Sequence, residues 1–506
     1  MAALDTKTAP KREDRLHSRI SYGGTLCGLK KRLSCGCFGD SDRSFSQGSI
    51  CLMLPAIAMI NSLPDNVNLL HGAVGCGVCS HSQNANARSG SLQHFGVQKD
   101  AMWISTAMNE ADVISGGEGK LKRAILEADR IYRPKTITVV ASCVPGITGD
   151  DVDGVIAGVR EFVQAKIIPV HCEGFKTKIW STAYDAVYHG LLETLLEDPP
   201  FPANIIPDDA EAFKLEQLKK YTVNLCNVSS MGKVDEDELT RLLNGLGYRV
   251  NIFPVFARPE EMWKIKYAAL SISTCPTHDD YFLKLFEEHY GIPYILKHMP
   301  IGIENTGEWI RDVGRFSGRE DAAEKLIAAE LSRLDEALKP YREFFKGKKA
   351  FISAGEFRAL ATANLLAELG FTITGVRSFH HDEFASLEYE KLRKAAGDFS
   401  FNVANVQPFE EANLITRLKP DLFLGHWNGN STAAKLGVPA HVIYNTGLSY
   451  IGYRGAFELA RRLYRQLGNP VFARKTGAYN RLPYRKSWYA EDPFKHIKND
   501  DAKGGE

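Results

Sequence analysis

Cysteine is the residue type in this chain whose number and placing could do chemistry. Ten are present, Cys27, Cys35, Cys37, Cys51, Cys76, Cys79, Cys143, Cys172, Cys226 and Cys275, and none follows in the rest of the 506 residues. In a large cytosolic enzyme, thiols serve metals more often than disulfides. Thiolate-bound metal therefore belongs to the first part of the fold. Three of these cysteines stand where the residue pattern predicts a strand end. His71-Gly-Ala-Val-Gly-Cys76-Gly follows an expected strand Asn66–Leu70, Cys143 follows Ile137–Ala141, and Cys275 follows Ala268–Ser273 just before a helix. Open α/β sheets collect ligands at such carboxyl ends, and a helix N-terminus favours the thiolate that metals bind. The glycines around Cys76 let backbone approach a bulky cluster and offer N–H groups to its sulfides. Taken singly, a buried cysteine is often a small hydrophobe, which is how Cys79, Cys172 and Cys226 read. Cys27, Cys35 and Cys37 match no zinc or ferredoxin spacing.

Thiols placed in this way need strands that end beneath them, and the pattern supplies these. Lys135–Ala141 reads as a buried strand, followed by a helix over Val152–Ala165. Tyr221–Leu225, Asp235–Leu246 and Tyr248–Phe253 read as strand, helix and strand; Ala268–Ser273 leads into the helix Asp279–Tyr290. Lys349–Ser353, Arg358–Leu369 and Phe371–Val376 repeat the unit, as do Asp421–Gly425, Ser431–Leu436 and His441–Tyr444. Alternation at this pitch predicts an α/β fold of three Rossmann-like domains with doubly wound parallel sheets. Residues 1–205 form an N-terminal tail and the domain of Cys51, Cys76 and Cys143, 206–345 a second domain carrying Cys275, and 346–506 a third with a C-terminal tail. The seams are DPPFPANIIPDD and the charged helix ending KPYREFFKGKK. Neither a Gly-x-Gly-x-x-Gly fingerprint nor a phosphate loop ending in Gly-Lys-Ser/Thr occurs, so nucleotide hydrolysis, if it drives the chemistry, comes from a partner.

Composition excludes several function classes. Hydrophobic residues are 44%, charged residues 24% and the formal net charge is +1. No long-range field draws such a chain to nucleic acid or to an acidic membrane. The N-terminus has no apolar secretory core, and no run reaches the ~18 apolar residues of a membrane span. The expected compartment is the cytoplasm.

The motifs together resemble a known family. Cys51, LLHGAVGCG, ASCVPGITGDD and IPVHCEGF occur in the order and spacing of nitrogenase component 1 alpha subunits, and SISTCPTHDDYF and KPDLFLG…KLGVP…YIGYRGAFELARRL extend the likeness to about Arg462. The resemblance implies that Cys51, Cys76 and Cys143 hold one half of a P-cluster, an eight-iron relay shared with a beta-like subunit in an alpha2beta2 heterotetramer. It implies that Cys275 binds the active-site cofactor and that a separate ATP-hydrolysing iron protein delivers electrons.

Departures from nitrogenase shape the expected function. The stretch VPAHVIYNTGLSYIGY is about two residues shorter than its nitrogenase counterpart, which carries a histidine ligand of the cofactor. Counting from Pro439 puts Tyr444 at the ligand position; counting back from Gly452 puts Val442 there. His441 is the only imidazole nearby, and becomes a ligand after a register shift. Trp180 and Tyr184 stand where nitrogenase places a glutamine and a histidine over the reactive face. Apolar bulk there suits an organic substrate better than dinitrogen. His380 and His381, at a strand end, could supply protons in their place; otherwise they are surface loop histidines. The loop Gly425–Asn430 lacks the lysine that holds the organic acid of the molybdenum cofactor, unless Arg358 or His426 replaces it. We expect a carbide-centred, all-iron cofactor without homocitrate. The expected function is that of a nitrogenase-like methylthio-alkane reductase, acting on small organic thioethers. A cofactor-assembly scaffold and a true nitrogenase alpha subunit are the competing readings.

Overall fold

Near-continuous apolar runs such as Thr136–Ala141, buried at every position, form parallel strands covered on both faces. The computed structural model describes residues 8–35, 43–48, 51–196, 209–227, 232–445 and 447–497; Cys37 and nearly all of the Pro-rich seam lie outside them. Three sheets form among the described residues. The first runs Met102–Ser105, Asn66–His71, Thr136–Ala141, Lys166–His171, all parallel. The second runs Arg249–Pro254, Thr222–Asn227, Leu270–Ser273, Tyr294–Ile295, also parallel. The third runs Ser21–Thr25, Ser400–Ala404, Thr372–Ser378, Lys349–Ala354, Leu422–Gly425, Ala440–Val442. Polar side chains inside these strands are satisfied across them: the Thr136 and Thr138 hydroxyls both donate to Asn66 Oδ1, at 2.9 and 3.0 Å.

Each sheet has one point where the winding reverses, which opens a crevice at the carboxyl ends of two central strands. In the first sheet the crevice lies beyond the paired residues His71 and Ala141, in the second beyond Cys226 and Ser273, and in the third beyond Ser353 and Gly425. Chain order alone thus brings the loops of Cys76 and Cys143 together, sets Cys275 at a crevice, and sets the start of the Arg358 helix beside the His426 loop.

The chain divides into two compact units, residues 1–12 with 51–297 and residues 13–50 with 298–506. The expected first and second domains fall largely within one unit, and two further segments lie elsewhere than expected. The N-terminal stretch read as a tail supplies the antiparallel edge strand Ser21–Thr25 of the third sheet. Its sequence, Ser-Tyr-Gly-Gly-Thr, has no apolar alternation to announce a strand. Gly23 is needed because a Cβ there would sit 2.2 Å from the Phe494 ring. The helix Glu320–Phe345, expected in the second domain, belongs to the second unit. There Tyr341 and Phe344 pack edge-on against Tyr464 of the helix Gly452–Gly468, at 5.5 and 4.6 Å. The first unit's core gathers Tyr188, Phe253 and Phe282, with Phe282 stacked 4.7 and 4.9 Å from the other two. No helix among the described residues is long and apolar enough to cross a membrane.

Candidate functional site

In the first unit, the loop after Asn66–His71 carries Cys76 in a short 3-10 turn, Val74–Gly77. Cys143 opens the helix Cys143–Thr148 directly beyond Thr136–Ala141, and Cys51 precedes the apolar helix Met53–Ile60. The Cys51 and Cys143 thiols meet over Gly174, with Cys76 close enough to interact with both. A Cβ built there would lie 3.6 Å from Cys143 Sγ and 3.7 Å from Cys51 Sγ, so the Gly174 backbone lies close to both sulfurs. The Gly174 N–H donates to Cys143 Sγ at 3.2 Å. Burial pushes the Cys76 thiol up, and the neighbouring Cys143 and Cys51 push it further, while the Ser142 hydroxyl acts in the opposite direction. That hydroxyl is buried and makes no hydrogen bond of good geometry. The Cys76 thiol therefore resists ionising without a cation beside it, and a positive metal would remove that resistance.

Among the described residues, no group of His, Cys, Asp and Glu side chains converges on a single ion. The spread of the three thiols, with the Gly174 amide donating to one of them, fits a polynuclear iron–sulfur cluster, in which each iron takes its own thiolate. Cys51 is exposed and Cys76 and Cys143 are half-buried, so the set opens to the surface. Around it stand exposed apolar side chains: Val74 at 66%, Val78 at 69%, Ile147 at 74% and Phe175 at 54%. Cys172 is buried, and burial raises its thiol well above the usual range. Cys79 is half-buried, with Cys51 and Cys76 near enough to raise its pKa after burial.

His71 and Asp150 hold the two cysteine loops together. His71 Nε2 donates to Asp150 Oδ2 at 2.9 Å, and Nδ1 lies 3.1 Å from Thr106 Oγ1. Asp150 Oδ2 also accepts the Gly117 N–H at 3.0 Å. Burial lowers the His71 pKa more than Asp150 raises it, so the imidazole is neutral.

Cys275 caps the helix Pro276–Tyr290 from an extended conformation, with Pro276 at the first helical position. The thiol is buried. Asp279 braces the turn beneath it: its Oδ2 accepts from the Ser273 hydroxyl at 2.8 Å and the Thr274 N–H at 3.2 Å, and its Oδ1 from Tyr188 Oη at 3.1 Å. Burial pushes this carboxyl up to about 7 despite those donors. Trp180 and Tyr184, in the first unit with Cys275, form a T-shaped pair at 6.1 Å. The Tyr184 ring lies 4.3 Å from the imidazole of His278, three residues after Cys275. The Thr182 and Thr277 hydroxyls are buried with no partner, as expected of groups lining a ligand site. Sequence reasoning missed His278. It stands within the SISTCPTHDDYF motif, but nothing in the sequence pairs it with Tyr184.

The second unit carries the remaining residues. Arg358, buried on the helix Glu356–Glu368, lies 5.9 and 5.8 Å from the ring centres of Tyr444 and Tyr450. The His426 imidazole is lowered to about 4, by burial first and the Arg358 charge second. Tyr444, at the position reached by counting from Pro439, is thus one of the residues beside Arg358. His441 packs against the helix Gly452–Gly468, its Nδ1 3.1 Å from Gln466 Oε1, and burial followed by the Arg462 charge lowers it to about 4. Its Nε2 is buried without a partner.

His380 and His381 are not surface loop histidines; both are buried. His381 Nδ1 lies 2.7 Å from Glu356 Oε1, His380 Nε2 lies 3.1 Å from Asp382 Oδ2, and Glu356 Oε2 accepts the Asp382 N–H at 2.8 Å. Burial lowers the His381 pKa, but Glu356 and Asp382 outweigh it and the net shift is upward.

Comparison with known proteins bears on this arrangement. Residues 51–467 match the family model described as nitrogenase component 1 type oxidoreductase. The nitrogenase molybdenum-iron protein alpha chain of Methanothermobacter marburgensis is 27% identical over 430 residues, covering 81% of this chain and 85% of that one. The nitrogenase iron-molybdenum cofactor biosynthesis protein NifE of Nostoc sp. is 30% identical over 450 residues, covering 88% of each. The solved structure titled nitrogenase Cp1 at pH 5 superimposes with a TM-score of 0.69 at 23% identity, over 85% of this chain and 91% of that one. That likeness establishes the fold.

Proposed function

This chain belongs to the nitrogenase component 1 type oxidoreductases, and from that premise we propose that it is the catalytic, alpha-type subunit of a nitrogenase-like methylthio-alkane reductase. Cys51, Cys76 and Cys143 would hold half of a P-cluster-type eight-iron cluster, with a beta-like subunit holding the rest in an alpha2beta2 assembly. The thiol set, open to the surface at Cys51, and its exposed rim of Val74, Val78, Ile147 and Phe175 support this, because such a surface gains by being covered. Cys275 would hold a carbide-centred, all-iron cofactor without homocitrate. When bound, these groups supply stored electrons, delivered by a separate ATP-hydrolysing iron protein.

The observation that carries the substrate class is the aromatic wall of Trp180, Tyr184 and His278 beside the Cys275 helix. It supplies apolar surface to a small thioether and excludes water from the C–S bond. Cleavage takes two electrons and two protons, breaks that bond and forms a C–H and an S–H bond, releasing methanethiol. The experiment is reduction of dimethyl sulfide or ethylmethyl sulfide by the purified complex, set against acetylene and dinitrogen. Methanethiol formation supports the reading; ammonia from dinitrogen, with no methanethiol, would favour a nitrogenase alpha subunit.

A second reading has its own support. Likeness to a cofactor biosynthesis protein over 88% of both chains suits a scaffold that carries a cluster and hands it on. A scaffold would transfer iron to a cofactor-free acceptor and leave thioethers untouched.

A further inference from the structure

We propose that Arg12 is a positioning residue for the Cys275 site, an inference that rests on reading Cys275 as the cofactor thiolate. Arg12 comes from a charged run, Lys-Arg-Glu-Asp-Arg, near the N-terminus, yet it is 0% exposed and among the largest fully buried side chains of the protein. Its guanidinium forks onto one carboxylate, with Nε 2.9 Å from Asp185 Oδ2 and Nη2 2.7 Å from Asp185 Oδ1. The same Nη2 donates to the Thr277 carbonyl at 2.5 Å and lies 3.4 Å from Asp280 Oδ1. Both carboxylates are fully buried, and Lys284 Nζ, 3.7 Å from Asp280 Oδ2, brings a second cation to the second anion.

The partners explain the role. Asp185 follows Tyr184 on the helix Thr182–Leu196, while Thr277 and Asp280 belong to the opening turns of the helix Pro276–Tyr290 that Cys275 caps. One planar group therefore ties the backbone two residues beyond Cys275 to the helix that carries Tyr184, and Tyr184 in turn packs on His278. An apolar contact would hold two helices together equally well. A fork with fixed donor directions also sets their register and rotation, and these decide where the Cys275 thiol meets the aromatic wall.

The test reads geometry separately from activity. In the full chain freed of metal, alkylation of Cys275 is timed by mass spectrometry for the native protein, Arg12→Gln and Arg12→Lys, with Cys226 on the central strand of the same sheet as internal control. Both thiols are buried. We expect the variants to react about tenfold faster at Cys275, through local opening, with Cys226 as protected as before. Lysine should rescue little, since it lacks the fork. Equal acceleration at both thiols, full protection in both variants, or full rescue by lysine would each overturn the positioning role. Should Arg12→Gln fail to fold, Asp185→Asn removes half the fork and serves in its place. Failure of the reductase reading would leave the labelling contrast unchanged.

Discussion

His71 Nε2 stands 2.9 Å from Asp150 Oδ2, and this one contact joins the loop of Cys76 to the loop that follows Cys143. The histidine of the HGAVGCG motif and the first aspartate of GITGDD are partners, both nearly free of solvent. Replacing either leaves a buried polar group unsatisfied. His71→Ala or Asp150→Ala should lower stability by about 1–3 kcal/mol in urea titration, and should reduce cluster iron because the two cysteines lose their common reference. Native iron content in both variants would refute the linkage.

Cys76→Ala should remove iron and activity together, since a cluster with one thiolate missing from its three is not held. Cys275→Ala should abolish substrate reduction and leave the spectroscopic signal of the other cluster intact. Retained activity in Cys275→Ala would exclude it as the anchor.

The aromatic wall predicts a substrate effect. Tyr184→Gln and Trp180→Gln remove the aromatic rings from this wall. Each loss of about 0.5–1.5 kcal/mol should reduce kcat/KM for ethylmethyl sulfide by roughly two- to tenfold. Steady-state kinetics on both variants reads this directly, and unchanged values would place the thioether elsewhere.

Stability should peak near pH 6.5. His426 and His441 are held near 4, below the 6.5 of the unfolded chain. Their stability contribution is present above 6.5 and is lost as pH falls towards 4, because the unfolded chain takes up protons that the folded chain refuses. His171 lies opposite: burial lowers it, but Asp153 and Glu173 together raise it to about 9. Its contribution is full below 6.5 and is lost as pH rises towards 9. Urea midpoints of the metal-free chain from pH 4 to 9 test both limbs, and His441→Gln should flatten only the acid one.

Metal analysis should find iron without stoichiometric molybdenum and no homocitrate. Arg358 lies over the faces of Tyr444 and Tyr450, a cation–π setting that satisfies its charge in part. Stoichiometric molybdenum with bound homocitrate in the purified complex would defeat this expectation.

The sequence by itself determined the central strands, because a buried parallel strand must be apolar on both faces and Thr136–Ala141, Leu270–Ser273 and Lys349–Ala354 are legible as such runs, whereas Ser21–Thr25, Met102–Ser105, Tyr294–Ile295 and Ser400–Ala404 are not read from it. It also determined which cysteines stand at strand ends, since the position of a thiol along a strand is a property of chain order. Only the tertiary structure decided what meets across the fold. Ser21–Thr25 joins a sheet whose neighbouring strand lies nearly four hundred residues later, with register partners such as Ser21 and Ala404. Arg12 finds Asp185 and Thr277, Tyr184 finds His278, and His380 and His381 become buried rather than exposed. Such contacts depend on which loops a sheet order brings together and on packing between distant helices. Local residue pattern carries neither, because periodicity reports the face an element buries and not the partner it buries against.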